Sequence, residues 1–135
     1  KTKLKKRRIK YSDFKKRIKI MIMDDELSFR ASCAFLLSKF NVEIFEFANP
    51  IKAIDYYNDN YRNIDIILLD YIMPDLNGYE TFIKLKEINP DLKVIIMTGF
   101  TEEGQITRLL NEGAKGYLKK PFVKKESISK INEVV

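Results

Sequence analysis

Asp24, Asp25, Asp70, Thr98 and Lys120 each stand at the carboxyl end of a short apolar run, and together they offer three carboxylates, a hydroxyl and an ammonium. If those runs are parallel strands, their carboxyl ends share one edge of a sheet, which is where open α/β sheets bind ligands. Three acids crowded together repel one another and resist ionising unless a cation joins them. Mg²⁺ suits such a set, because it is a hard ion held by a few carboxylates, waters and phosphate oxygens and needs no nitrogen or sulfur ligand. A carboxylate beside Mg²⁺, with a hydroxyl and a lysine in reach, matches phosphoryl transfer to an aspartate, in which cations neutralise the equatorial oxygens of the moving group. In that chemistry Asp70 is the nucleophile and Asp24 and Asp25 hold the metal. Lys120 contacts a phosphoryl oxygen as a point charge, and Thr98 donates a hydrogen bond to another.

The rest of the composition narrows the alternatives. The 135 residues include no His and one Cys, Cys33. A His/Cys zinc site, a Ser-His-Asp triad and an intramolecular disulfide framework are therefore excluded. Hydrophobic residues at 45 % and charged residues at 33 % are ordinary for a globular protein, and the length suits one domain. With no apolar run near the roughly 20 residues of a membrane helix, the expectation is a soluble, cytoplasmic domain. Its net charge of +6 is unevenly spread. Residues 1–19 hold 11 Lys+Arg against Asp13, a net of +10, while the remaining 14 Lys+Arg and 18 Asp+Glu leave −4 on residues 20–135. Residues 1–17 thus read as a basic linker or tail and 18–135 as the folded domain. Such a tail could attract nucleic acid or lipid headgroups, although a solvated linker is the simpler reading. The spacing of Leu4, Tyr11, Phe14 and Ile18 also allows a helix entering from upstream, and a start at Lys1 without Met suits an excised fragment.

The elements that must position the acids follow from periodicity. Five apolar runs, Ile18 to Met23, Val42 to Phe47, Ile64 to Leu69, Leu92 to Met97 and Lys115 to Leu118, alternate with longer segments of helical period. That alternation predicts repeated βαβ units around a parallel sheet. The third and fourth runs are nearly continuous in apolar side chains, as central strands covered on both faces should be, whereas Glu43 and Glu46 place the second at an edge. Phe29, Cys33, Leu36, Leu37 and Phe40 form the inward stripe of the first helix, which makes Cys33 core packing and not a nucleophile. Asn49-Pro50 opens a helix that carries Ile51, Ile54 and Tyr57 inward, and Asn77-Gly78 leads into another, bearing Phe82, Ile83, Leu85 and Ile88, which Asn89-Pro90 closes. The segment Thr101 to Glu112 has only Ile106, Leu109 and Leu110 as a stripe and contains Gly104, so it is the helix expected to move. Gly113 ends it, and Phe122, Ile128, Ile131 and Val135 fit a last helix.

Four motifs in order, Asp24-Asp25-Glu26, Leu69-Asp70-Tyr71-Ile72-Met73-Pro74-Asp75-Leu76-Asn77-Gly78, Met97-Thr98-Gly99 and Gly113-Ala114-Lys115-Gly116-Tyr117-Leu118-Lys119-Lys120-Pro121-Phe122, resemble the receiver domain of two-component response regulators. The resemblance covers about residues 18–135 and implies a flavodoxin-like, doubly wound (βα)5 fold with a five-stranded parallel sheet in the order 2-1-3-4-5. It implies transfer of a phosphoryl group from a phosphohistidine, on a sensor histidine kinase or histidine phosphotransfer protein, to Asp70 with Mg²⁺. The metal set would be Asp24, Asp25, Asp70 and the backbone carbonyl of Ile72, and Lys120-Pro121 would be a cis peptide. Thr98 would move toward the phosphoryl group and Tyr117 would fill the space behind it, biasing a two-state face made of the fourth helix, fifth strand and fifth helix. The resemblance admits a homodimer through the last two helices. The stretches around Thr98-Gly99-Phe100, Glu80-Thr81-Phe82 and Ile88-Asn89-Pro90-Asp91 are similar to receivers appended to hybrid sensor kinases. A stand-alone or transcriptional regulator fragment is the alternative setting. Ile72, apolar where many relatives carry a polar or acidic side chain, and Phe100, bulky and aromatic two residues past Thr98, together predict a phosphoaspartate shielded from water and longer-lived than in relatives with polar residues there.

Taken singly, each residue has a plainer role: Asp24 a helix cap, Asp25 a first-turn acid, Asp70 a turn former, Thr98 a strand-end hydroxyl, Lys120 a solvated lysine and Tyr117 a core residue. Only their joint placement argues for a site. A haloacid-dehalogenase-type phosphatase needs a second Asp where Ile72 stands, and a flavin phosphate would be repelled by Asp24-Asp25-Glu26. A pseudo-receiver that binds nucleic acid through the basic tail is the remaining alternative, with a salt-dependent affinity as its signature.

Overall fold

A computed structural model of the protein describes residue 14 and residues 16–99, 103–121 and 124–135. Five strands and five helices alternate: β1 (Ile18–Met23), α1 (Leu27–Leu37), β2 (Val42–Phe47), α2 (Pro50–Asn60), β3 (Ile66–Asp70), α3 (Gly78–Ile88), β4 (Val94–Thr98), α4 (Glu103–Asn111), β5 (Gly116–Lys119) and α5 (Lys124–Val134). The strands form one sheet, β2-β1-β3-β4-β5, and every neighbouring pair is parallel. This is the doubly wound order expected from the resemblance. β2 lies at the edge, as its interleaved glutamates require, and Tyr56 covers its Phe45 and Phe47 with ring centroids 5.8 and 5.2 Å away.

Side chains leave a strand alternately to its two faces, and here each face buries its own half of the core. Met21, Met23, Ile67, Leu69, Val94 and Ile96 meet α2, α3 and α4 through Ala53, Tyr57, Phe82, Leu85, Ile106 and Leu109. Ile20, Ile22, Ile66, Leu68, Ile95 and Met97 meet α1 and α5 through Cys33, Leu37 and Ile131. Phe14, from the segment read as tail, also packs in this second core, against Phe40 with centroids 6.3 Å apart, and Asn41 donates to its carbonyl. Cys33 is buried there, and burial, with the charges of Asp24 and Glu46, pushes its thiol up to about 12. It is core packing, as its helical spacing predicts.

Several boundaries differ from the sequence reading. Ile64 and Asp65 precede β3, because a turn of 3-10 helix over Tyr61–Asn63 occupies the approach and Asp65 is tied to β1 instead. Asp65 donates from its amide to the Lys19 carbonyl at 2.8 Å and accepts the Lys19 amide on Oδ2 at 2.8 Å. Leu92 and Lys115 likewise precede their strands, and Asp70 is the last residue of β3 instead of the first beyond it. Ile51 does not point inward but is 46 % exposed. Residues 51, 54 and 57 drift about 120° around a helix, so burying Ala53 and Tyr57 turns Ile51 to solvent. Leu110, at the edge of its stripe, is 37 % exposed, with Ile106 and Leu109 taking the core. The expectations for the basic segment at 1–13, for Phe100 and Thr101, and for Phe122 lie outside the described residues.

Helix ends follow their sequence signals. Asn49 caps α2 by accepting from the amides of Ile51 and Lys52, with Pro50 at the first helical position. Asn77 and Glu80 form a reciprocal capping box at the start of α3. Gly113, with φ of 120°, ends α4 in a conformation closed to most side chains. α4 leans on α3 through Arg108, stacked 3.7 Å over the Tyr79 ring, and through the Tyr79 hydroxyl donating to Glu112.

Candidate functional site

Strand register brings the acids together. Met23 pairs with Leu69 in the sheet, so Asp24, Asp25 and Asp70 emerge side by side from the ends of β1 and β3. A carboxylate oxygen from each of the three lies within 4.8 Å of the other two. Asp24 and Asp70 are buried and Asp25 is exposed, so the cluster has two fixed acids and one at its mouth. The ladder continues past the strand ends: Asp24 donates from its amide to Phe47 at 3.0 Å, Tyr71 to Met97 at 2.9 Å, and Lys120 to Thr98 at 2.7 Å. Those bonds hold the site residues to the sheet edge and leave little backbone freedom.

Lys120 reaches the cluster from the end of β5. Its Nζ lies 2.7 Å from Asp24 Oδ2 and 3.4 Å from Asp70 Oδ1, with the side chain only 15 % exposed. Among the described residues that ion pair is what partners Asp24 Oδ2. Asp24 Oδ1 accepts the Glu26 amide at 2.9 Å in a turn just ahead of α1, whose N-cap position belongs to Glu26, so Asp24 does not take the helix-cap role of the plainer reading. Thr98 is buried on the neighbouring strand, where it pairs in register with Lys119. Ile72 donates its amide to Asp70 Oδ1 at 3.4 Å, while its side chain is 51 % exposed beside the site. Tyr117, on β5, points to solvent and is 48 % exposed. The Lys120-Pro121 peptide is cis, as the resemblance implies.

Electrostatics in the cluster are those of acids short of positive charge. Burial and the charge of Asp24 raise the Asp70 pKa to about 6, partly opposed by Lys120 and the Ile72 amide. Burial alone would lower the pKa of Lys120, but its contact with Asp24 and the charges of Asp70 and Asp24 outweigh it and raise it. Three carboxylates against one ammonium leave two negative charges, and a divalent cation balances them. The donor set, all oxygen and mostly carboxylate, fits Mg²⁺ and offers nothing a softer metal would prefer.

Two residues that the sequence reading missed hold this arrangement from α1. Arg30 Nη1 donates to the carbonyl of Asp24 at 2.7 Å, and its Nε pairs with Glu46 at 3.2 Å. The ring of Phe29 lies 4.2 Å from the Lys120 ammonium. In sequence Phe29 is one member of an apolar stripe, and a lone arginine one turn into a helix carries no signal of its target. Turn geometry supplies the rest of the frame. Gly78 donates to the Tyr71 carbonyl at 2.8 Å, so close that a Cβ there would meet Tyr71 Cδ1 at 2.6 Å. Asp75, at φ 76°, takes a left-handed conformation in the same loop.

Comparison with known proteins agrees with this frame. The family model described as the response regulator receiver domain matches residues 20–132. The chemotaxis protein CheY of Thermotoga maritima is 25 % identical over 117 residues, covering 86 % of this chain and 96 % of that protein. The phosphate regulon transcriptional regulatory protein PhoB of Pseudomonas aeruginosa is 33 % identical over 118 residues, covering 86 % of this chain but 51 % of that protein. The sensor kinase CckA of Brucella abortus is 24 % identical over 116 residues, 86 % of this chain and 12 % of that protein. Among solved structures, a response regulator receiver domain protein of Clostridium thermocellum superposes with a TM-score of 0.82 at 29 % identity, covering 86 % of this chain and 92 % of that one. No helix among the described residues is long and apolar enough to cross a membrane.

Proposed function

The chain belongs to the response regulator receiver family, and from that premise we propose that it accepts a phosphoryl group on Asp70 from a phosphohistidine of a sensor histidine kinase or a histidine phosphotransfer protein. The observation that carries this reading is the convergence of Asp24, Asp25 and Asp70 within 4.8 Å, with Lys120 3.4 Å from Asp70. An Asp70 carboxylate oxygen forms a bond to phosphorus as the phosphorus–nitrogen bond breaks, and the electron pair leaves with the imidazole. Asp24, Asp25, Asp70 and the Ile72 carbonyl would hold Mg²⁺, which when bound neutralises charge on the phosphoryl oxygens. Lys120 exchanges part of its carboxylate contact for a phosphoryl oxygen, and Thr98, buried at the end of β4, donates its hydroxyl to another.

Output follows as a shift between two states. Movement of Thr98 toward the new oxygens vacates space that Tyr117, now exposed, fills. The α4–β5–α5 face changes with it, and α4, which carries Gly104, is the element that gives way. Residues 18–135 form the receiver, with 1–17 a basic linker or tail. The work is done in the cytoplasm, and a homodimer through the last two helices is one output. The similarity to a stretch of CckA supports a place within a hybrid sensor kinase, and the similarity to half of PhoB supports a transcriptional regulator fragment as the second setting.

The test is intact-protein mass after incubation with acetyl phosphate, with and without Mg²⁺, for wild type and Asp70→Asn. One Mg²⁺-dependent phosphoryl adduct that the variant lacks is expected. An adduct retained by Asp70→Asn would move the acceptor elsewhere, and no adduct despite measured Mg²⁺ binding would leave a pseudo-receiver acting by contact or through its basic segment.

A further inference from the structure

Lys120 is flanked on a third side by something other than a carboxylate. Its ammonium sits 2.7 Å from Asp24, 3.4 Å from Asp70 and 4.2 Å from the centroid of the Phe29 ring. A lysine is a point charge on a flexible four-carbon stem and carries much rotamer freedom. The ammonium is in contact with the nearer carboxylate, Asp24, and within reach of Asp70. An aromatic face attracts a cation through its quadrupole, most strongly where water is kept away, and Lys120 is largely buried. The ring is fixed in turn: Phe29 packs against the core that contains Cys33 and Leu37, four and eight residues further along the same helix. Its position is therefore set by α1 and not by the acids.

We propose that Phe29 is a positioning residue for the phosphoryl-transfer reaction, whose ring holds the Lys120 ammonium between Asp24 and Asp70 where an incoming phosphoryl oxygen can take it. The proposal rests on Asp70 being the acceptor. The ring attracts the ammonium without adding a negative charge that a phosphoryl oxygen would have to displace, so only the carboxylate contacts are exchanged when a phosphoryl group arrives. The ring thus keeps Lys120 in place without competing for it.

The test uses two readouts on wild type, Phe29→Leu and Phe29→Tyr. Leu keeps apolar bulk but removes the π face, and Tyr keeps the face. The first readout is the phosphorylation rate at saturating acetyl phosphate and Mg²⁺, with Mg²⁺ affinity measured in parallel. Phe29→Leu should lower the rate about fivefold, equivalent to ~1 kcal/mol, and Phe29→Tyr should restore it, with Mg²⁺ affinity unchanged in both. The second is the NMR shift of the Lys120 ε-methylene protons, displaced upfield by the ring in wild type and Phe29→Tyr and relaxed in Phe29→Leu, whether or not Asp70 accepts phosphate. Equal rates in wild type and Phe29→Leu, or an equal fall in Phe29→Tyr, would overturn the proposal while an adduct on wild type keeps the acceptor reading. Absence of an adduct on wild type, with the ring shift present, would end the acceptor reading and the catalytic part of this proposal together.

Discussion

Arg30 adds a side-chain clamp where the ends of β1 and β2 already meet in the sheet: its Nη1 donates to the Asp24 carbonyl at 2.7 Å while its Nε holds Glu46 of β2 at 3.2 Å. The guanidinium fork suits such a double contact, because its donors point in fixed directions. The loop that carries Asp24 and Asp25 is thereby tied to both α1 and the sheet edge.

Arg30→Ala should therefore loosen the acidic loop as well as remove hydrogen bonds. The expected outcome is a several-fold weaker Mg²⁺ affinity by calorimetry, with about 1–2 kcal/mol lost in urea unfolding. An unchanged affinity beside the lost stability would mean that Asp24 and Asp25 keep their places without the clamp.

Asp70 carries a folded pKa of about 6 against an ordinary 3.8. In the unfolded chain it ionises first as pH rises, so the stability present below the unfolded value is lost as pH climbs through the folded one. In EDTA, Asp70→Asn should be more stable than wild type by up to ~3 kcal/mol above pH ~6, and the difference should vanish near pH ~4. Paired denaturation curves across that range measure it. Mg²⁺ should reverse the effect in wild type, since a cation favours the ionised carboxylates.

Gly78→Ala places a Cβ 2.6 Å from Tyr71 Cδ1 and 2.8 Å from the Tyr71 backbone. Backbone cannot move aside as a side-chain tip can, so a loss of roughly 1–3 kcal/mol is expected. Because Tyr71 follows Asp70 directly, phosphorylation by acetyl phosphate should slow as well. A stable protein with a normal rate would show that the loop has more room than its geometry indicates.

Ile72 presents a half-exposed apolar side chain two residues beyond Asp70. If it shields the phosphoaspartate from water, Ile72→Asn should shorten the adduct's half-life several-fold without changing the requirement for Mg²⁺. Decay followed by intact mass after removal of the donor would show it, and equal half-lives would discard the shielding role.

Much of this architecture is legible in the sequence. The nearly continuous apolar runs in β3 and β4 require strands covered on both faces, and the glutamates of Val42 to Phe47 require an edge. Asn49-Pro50 and Gly113 state where helices begin and end, because their backbones and side chains favour those conformations locally. Asp24, Asp70 and Thr98 were placed at one sheet edge by strand direction alone. Ile51 faces solvent against its spacing because a stripe spaced by three residues drifts around a helix, and only the burial of Ala53 and Tyr57 decides which part faces inward.

What the residues by themselves determined, then, is which groups end the strands and what chemistry those groups share. Tertiary structure decided how they are held. Register between β1 and β3 brings the acids within 4.8 Å, a distance no spacing in the chain encodes. The contacts of Phe29 with Lys120 and of Arg30 with Asp24 and Glu46 are likewise invisible in sequence. They join positions 91, 6 and 16 residues apart, and side chains so separated meet only where the packing of α1 against the sheet has already set their backbones.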